Sequence, residues 1–215
     1  WVSYSVNKED MWISRIPVPV EINASAHADD DFSKFGSIAE LTNWNIYSPV
    51  WAPVSLEGAW LKLQDKDPFD YAKVERKIPA SKELKVSFDL LAEQNDKGRL
   101  QIDFLDGNSI ACSRLELTPD GIFRMKGGSR FANMMNYEAG KTYHVEAVLS
   151  TADRNIQVYV DGKRVGLRMF YAPVATIERI VFRTGEMRTF PTVDTPADQT
   201  YDLPDAGGQE PLAEY

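Results

Sequence analysis

The chain has 215 residues, 43% of them apolar, enough for one domain with its own core and short of two full domains. With 32 acidic side chains against 24 basic ones it carries a net charge of -8, which lacks the basic footprint that phosphate backbones require, so nucleic acid is not an expected partner. The single cysteine, Cys112, excludes an internal disulfide, and no apolar run reaches the roughly 18 residues that a membrane span needs. From the N-terminus, two short strand-like runs, Val2–Val6 and Met11–Ile16, flank a polar turn at Asn7–Asp10, and Pro17 and Pro19 stiffen the exit. This stretch reads as the tail of another module, with a boundary near Val20. Because the chain opens on Trp1 rather than Met and shows no signal peptide, we expect a fragment or processed product whose true N-terminus and any export signal lie upstream.

Glu21–Val54 reads as a first strand plus loops. Its three adjacent carboxylates, Asp29, Asp30 and Asp31, could donate oxygens to calcium, but they lack the EF-hand spacing, and a solvated turn accounts for them better. No metal or other cofactor is expected, with calcium left open. Asn23-Ala24-Ser25 is a glycosylation sequon that matters only in a host that uses it.

From Gly58 onward, strands follow one another with turn residues between them, and no helical period is sustained. Ala59–Leu63 is followed by a turn at Asp65–Pro68. In Tyr71–Ile78, Ala72, Val74, Arg76 and Ile78 oppose Lys73, Glu75 and Lys77; in Leu84–Leu90, Val86, Phe88 and Leu90 point inward. The clearest stretch is Gly98–Leu117, which reads as a β-hairpin. Leu100, Ile102 and Phe104 form its core face, Gln101 and Asp103 face water or ligand, and Asp106-Gly107 supplies the positive-φ turn. Cys112 lies inside this pattern and reads as a small buried residue rather than a nucleophile. Ile122–Met125 then leads into a loop through Gly127 and Gly128, and Asp161-Gly162 joins Ile156–Val160 to a strand near Val165. Ile177–Arg183 closes the core with Ile180 and Phe182 on one face. The tail from Pro191 to Tyr215 has linker chemistry, with a final short strand near Leu212–Tyr215. The predicted fold is all-β, a two-sheet antiparallel jelly-roll sandwich, divided as 1–20 junction, 21–190 sandwich and 191–215 tail.

Alternation places Glu75, Ser87, Asp89, Gln101, Asp103, Arg114, Glu116, His144, Glu146 and Arg183 on outward polar faces. As solvated surface they need no function. Glycan binding asks for a ring to stack on a sugar and a few planar hydrogen-bonding groups, which points to Trp44, Tyr47, Trp51, Gln101, Arg114 and Arg183, with Trp60 close in sequence. Those aromatics could equally close one end of the core. An enzyme would draw on Asp89, Asp103, Arg114, His144 and Glu146: a retaining glycosidase needs two carboxylates about 5–5.5 Å apart. A polysaccharide lyase needs Arg or Gln beside a uronate and Tyr or His to move the proton, for which Gln101, Arg114, Tyr143 and His144 are the right types.

Two resemblances bear on function. Ser5, Asn7 and Trp12 fall where the Asp-box of a BNR-repeat, sialidase-like β-propeller has Ser, Asp and Trp, although Glu9 replaces its Gly; the start of the chain thus resembles the last blade of such a propeller. Asp30-Asp31-Phe32-Ser33 with Trp44, the Ala139–Tyr143 approach to a strand, the Val158–Gly162 hairpin and Phe182–Gly185 resemble the concanavalin A-like lectin/glucanase fold, in its laminin G-like form from bacterial carbohydrate-active proteins. The laminarinase pattern on that fold has two glutamates, and the nearest text here, Gln101–Asp106, lacks both, so that activity does not follow. The resemblance implies a glycan-binding or supporting module, non-catalytic alone, of a larger bacterial protein that is secreted, periplasmic or at the cell surface. Its implied partners are a polysaccharide or oligosaccharide and an N-terminal propeller in the same chain. The alternative is a glycoside hydrolase or polysaccharide lyase acting through the concave polar face.

Overall fold

The computed structural model describes residues 2–6, 10–14, 28–66, 71–185 and 213–214. Strands β1 (Val2–Val6) and β2 (Asp10–Ser14) pair as an antiparallel hairpin. The remaining strands are β3 (Trp44–Tyr47), β4 (Val54–Glu57), β5 (Trp60–Asp65), β6 (Lys73–Ser81), β7 (Glu83–Leu91), β8 (Leu100–Leu105), β9 (Ala111–Leu117) and β10 (Ile122–Gly127). They continue with β11 (Arg130–Asn136), β12 (Thr142–Ser150), β13 (Asn155–Val160), β14 (Lys163–Met169), β15 (Ile177–Thr184) and β16 (Ala213–Glu214). Among the described residues the only helical pieces are two 3-10 turns, Phe32–Lys34 and Ile38–Glu40.

The large sheet runs β11-β10-β9-β8-β15-β6-β3, a second sheet runs β14-β13-β12-β7, and a small one runs β16-β5-β4; every pairing is antiparallel. Period-2 alternation explains how the first two meet. Ile102, Phe104, Leu115, Met125 and Ile180 of the large sheet share one core with Val145, Ala147, Leu149, Ile156 and Val158 of the second. Phe88 meets Phe182 edge-on across that core, with ring centroids 5.1 Å apart. This is the all-β sandwich that the strand pattern predicts.

Local chemistry sets the connections. Asp161 (φ 50°) and Gly162 (φ 77°) form the two-residue hairpin turn between β13 and β14, whose left-handed backbone matches the strand twist. The β8–β9 connection departs from expectation. Its left-handed residue is Ser109 (φ 68°), and Asp106 closes a longer loop by accepting from the amides of Asn108 (2.9 Å) and Ile110 (2.8 Å). A carboxylate that satisfies two loop amides makes a tight Asp-Gly turn unnecessary. The loop expected at Gly127–Gly128 is itself a tight turn into β11, a strand whose alternation is broken by a bulge at Phe123/Arg124.

Arg76 points inward as its alternation requires, and burial is made tolerable by Asp30, which accepts from Nε at 2.7 Å. One member of the acidic cluster is therefore a core counter-ion, while Asp31 caps the first 3-10 turn and pairs with Lys34 at 3.2 Å. The last strand, β16, pairs with β5. The turn at 7–9, Pro17, Pro19, the boundary near Val20, the Asn23 sequon, residues 67–70 and the tail at 191–212 lie outside the described residues.

Candidate functional site

The outer face of the large sheet collects charge. Register places Lys73, Glu75 and Lys77 of β6, Arg179 and Arg183 of β15, Gln101 and Asp103 of β8, Arg114 and Glu116 of β9, and Arg124 and Lys126 of β10 on one side, with Arg99 just before β8. Among the described residues these are eight cations against three carboxylates, an excess of five positive charges in a chain whose net charge is -8. The overall sign of the chain hides this face.

Its carboxylates organise the cations. Glu116 is 1% exposed; its Oε1 accepts from Arg99 at 2.9 Å and from Arg124 Nε at 2.7 Å, and its Oε2 accepts from Gln101 at 3.3 Å. Asp103 receives both arms of the Arg114 fork, at 2.6 and 2.9 Å, the bidentate geometry that planar guanidinium favours. Burial works against the charge on Arg114, but the Asp103 hydrogen bonds and charge outweigh it and raise its pKa above the ordinary arginine value. Glu75 lies between Lys73 (3.2 Å) and Arg179 (3.5 Å), and Arg179 also donates to Ser109 Oγ and Gly107 O, both at 2.9 Å. The expectation that this face of the β8–β9 hairpin meets water is corrected here: Gln101, Asp103, Arg114 and Glu116 are all buried, because long paired side chains pack over one another. Gln101 Oε1 is buried there with no hydrogen-bond partner.

Aromatic rings flank this lattice at both ends. Near β3, the Arg183 guanidinium lies 3.9 Å from the Tyr71 ring centroid, and Tyr71 lies 5.0 Å from Tyr47. Near β11, Arg124 lies 4.2 Å from the centroid of Phe131, itself 37% exposed, and Lys126 lies 4.5 Å from that of Tyr171. Burial, and then the charge of Asp103, push the Tyr171 phenol up. Cys112 sits in the bulge of β9 beneath Tyr171, whose amide donates to its carbonyl at 3.0 Å; burial pushes its thiol up to about 12.

The sequence-predicted residues separate into groups. Gln101, Asp103, Arg114, Arg183 and Tyr47 share the outer side of the large sheet, with Glu75 and Glu116. Asp89, Ser87, His144 and Glu146 lie on the outer side of the second sheet, across the core, where His144 Nδ1 is 2.7 Å from Asp89 and Glu146 pairs with Lys85 at 2.8 Å. Tyr143 points into the core and its hydroxyl accepts from the Glu138 amide at 2.9 Å. The structure therefore brings neither the five enzyme candidates nor the lyase quartet to one place. Trp44 faces inward against Phe182 and Phe32, with centroids 6.5 and 5.7 Å away, on the opposite side of β3 from Tyr47. Trp51 (62% exposed) and Trp60 sit with the small sheet, so the tryptophans do not form one platform. Among the described residues no group of three or more His, Cys, Asp or Glu side chains is gathered to hold a metal. Sequence reasoning missed Arg99, Arg124, Lys126, Phe131 and Tyr171.

A family model described as "Sialidase-like, CBM domain" matches residues 44–199. Among solved structures, a sialidase is 97% identical with a TM-score of 0.86; the match covers 99% of this chain and 20% of that one, so the chain spans 20% of that sialidase's length. A Crh5 transglycosylase is 11% identical with a TM-score of 0.61, over 89% of this chain and 82% of its own. A structure connected with endo-acting O-glycanases of the human gut microbiota is 13% identical with a TM-score of 0.56, over 86% and 93%. Those two share the fold alone. A search of curated proteins found no match.

Proposed function

The chain belongs to the sialidase-like CBM-domain family, and from that premise we propose that the outer face of the large sheet is its glycan-binding surface. The observation that carries the reading is a lattice of planar hydrogen-bonding groups, Arg99–Glu116–Arg124 and Asp103–Arg114, bounded by the Tyr47–Tyr71 pair at one end and by Phe131 and Tyr171 at the other. Guanidinium forks donate to vicinal hydroxyls, and rings stack on the apolar faces of sugars. Buried carboxylates hold the arginines in place beforehand, which lowers the ordering cost of binding. The module is non-catalytic alone in this reading. Every carboxylate on the face is engaged by cations of the same face, and the His144–Asp89 pair lies on the other side of the sandwich.

The match to 20% of a sialidase supports a module of a larger carbohydrate-active protein. In that protein we place a propeller before the module, to which the opening hairpin would belong, and export to the periplasm, cell surface or medium. The test is a panel of neutral and acidic glycans, immobilised for binding and incubated in solution while reducing ends and unsaturated uronates are followed. Binding without product release is the expected result. Product release from the folded chain would replace the module with a glycosidase or, where unsaturated, a lyase; no binding to any glycan would overturn the reading.

A further inference from the structure

Three cross-strand pairs on the outer face set cation directly against cation: Lys126 opposite Arg114, Arg179 opposite Lys77, and Arg183 opposite Lys73. Like charges in directly opposed positions destabilise a sheet, and a chain with more acids than bases could have avoided every one of these pairs. The carboxylates relieve them only in part. Glu116 and Glu75 each serve two cations, and Asp103 is taken up by Arg114. Lys126 is left with the ring of Tyr171, and among the described residues no carboxylate reaches it. Lys126 thus faces a like charge with no carboxylate of the sheet beside it, which marks a place where an outside partner supplies the missing interaction.

We propose that the ligand of this face is an anionic glycan, whose carboxylate or sulfate groups settle between the opposed cations, with Lys126 the principal contact; this rests on the glycan-binding reading above. Phe131 lies directly opposite Lys126 on its other side and is 37% exposed. A sugar stacked on that ring presents an acidic substituent to the Lys126 ammonium, and Asn133, exposed on the same strand face, supplies an amide for neighbouring hydroxyls. The acid neutralises charge that the sheet itself leaves unbalanced, so affinity falls as salt screens it.

The experiment is calorimetric titration of the 215-residue chain with matched pairs: sialyllactose and lactose, an oligogalacturonate and its methyl ester, and a sulfated galacto-oligosaccharide and its unsulfated parent. In at least one pair the charged member should bind roughly tenfold tighter at low salt, the strength of one charge-assisted hydrogen bond, and lose most of that margin at high salt. Which pair responds tells carboxylate from sulfate. Lys126→Gln should remove the margin, whereas Lys163→Gln, exposed on the second sheet, should change neither the margin nor the neutral affinity. Should Lys126→Gln fail to fold, Lys77→Gln reads the opposed pair with Arg179 on the same face. Equal binding within every pair overturns the anionic ligand but leaves the module standing; no binding of any member, charged or neutral, overturns both.

Discussion

Glu116 is where the lattice is most vulnerable. Glu116→Gln keeps the shape but removes the charge, and it turns an amide donor toward Arg99, Arg124 or Gln101. Breaking a buried ion pair on one side costs about 3–5 kcal/mol, because the remaining charge stays buried without its counter-ion. The carboxylate is 1% exposed, but its arginine partners are 22% and 27% exposed and recover some hydration, which selects the lower end, about 3 kcal/mol. For a domain of this size that is a fall in Tm of roughly 6–12 °C. Urea unfolding of both proteins, with equal m values, gives the number directly. Adding Arg124→Met to Glu116→Gln should cost less than Arg124→Met alone, since it removes a charge already stranded. The exposed Asp89–His144 pair is the control, and Asp89→Asn should cost about 0.5 kcal/mol or less. A loss below about 1 kcal/mol for Glu116→Gln would refute the claim that this carboxylate holds the face together.

Two glycine substitutions should destabilise for different reasons. At Gly162 a Cβ would meet nothing within 4 Å, so Gly162→Ala should cost only the left-handed backbone term, about 1–2 kcal/mol in urea unfolding. At Gly127 a Cβ would meet Arg168 Cδ at 2.8 Å and Cβ at 2.9 Å; Gly127→Ala should cost about 1–3 kcal/mol through crowding, and that cost should shrink when measured in an Arg168→Gly background, which lacks both atoms, while the cost of Gly162→Ala stays the same there. Cys112 should resist thiol reagents at pH 8 in the native chain and react at once in urea; fast native labelling would contradict its burial. Its thiol is raised from 9.0 to about 12, so the unfolded chain gives up this proton first. The stability it contributes is whole below pH 9 and is lost as pH rises toward 12, and Tyr171, shifted in the same direction, adds to the loss. Melting temperature measured against pH should therefore fall more steeply above pH 9 in the native chain than in Cys112→Ala.

Strand existence and inward-facing residues were legible because alternation is local: Ala72, Val74, Arg76 and Ile78 are buried in the register their spacing demands. Sheet membership was not. Alternation says that Asp89 and Asp103 each face away from the core, but only long-range pairing assigns one to the second sheet and the other to the large one. The β10–β11 end of the face could have been suspected from Arg124 and Lys126 alternating with Phe123 and Met125. The bulge that lets Met134 slip out of step breaks the period in β11, and Tyr171 reaches the face from a loop that no pattern anticipates. The net charge misled because, among the described residues, eight of the chain's 24 basic side chains but only three of its 32 acidic ones lie on this face, a distribution that composition cannot record.

Strand β15 lies between β6 and β8, and it is the last of the seven strands of its sheet to be synthesised. Until Ile177–Thr184 leaves the ribosome, the sheet exists only as two pieces, β11-β10-β9-β8 and β6-β3, each with an open edge next to the core. Folding of this domain is thus a late event in translation, gated by one insertion whose pairing with β6 spans about a hundred residues of sequence. A chain that stops before Ile177 has lost eight residues from the centre of its sheet, and it presents two unpaired strand edges to any neighbour made at the same time.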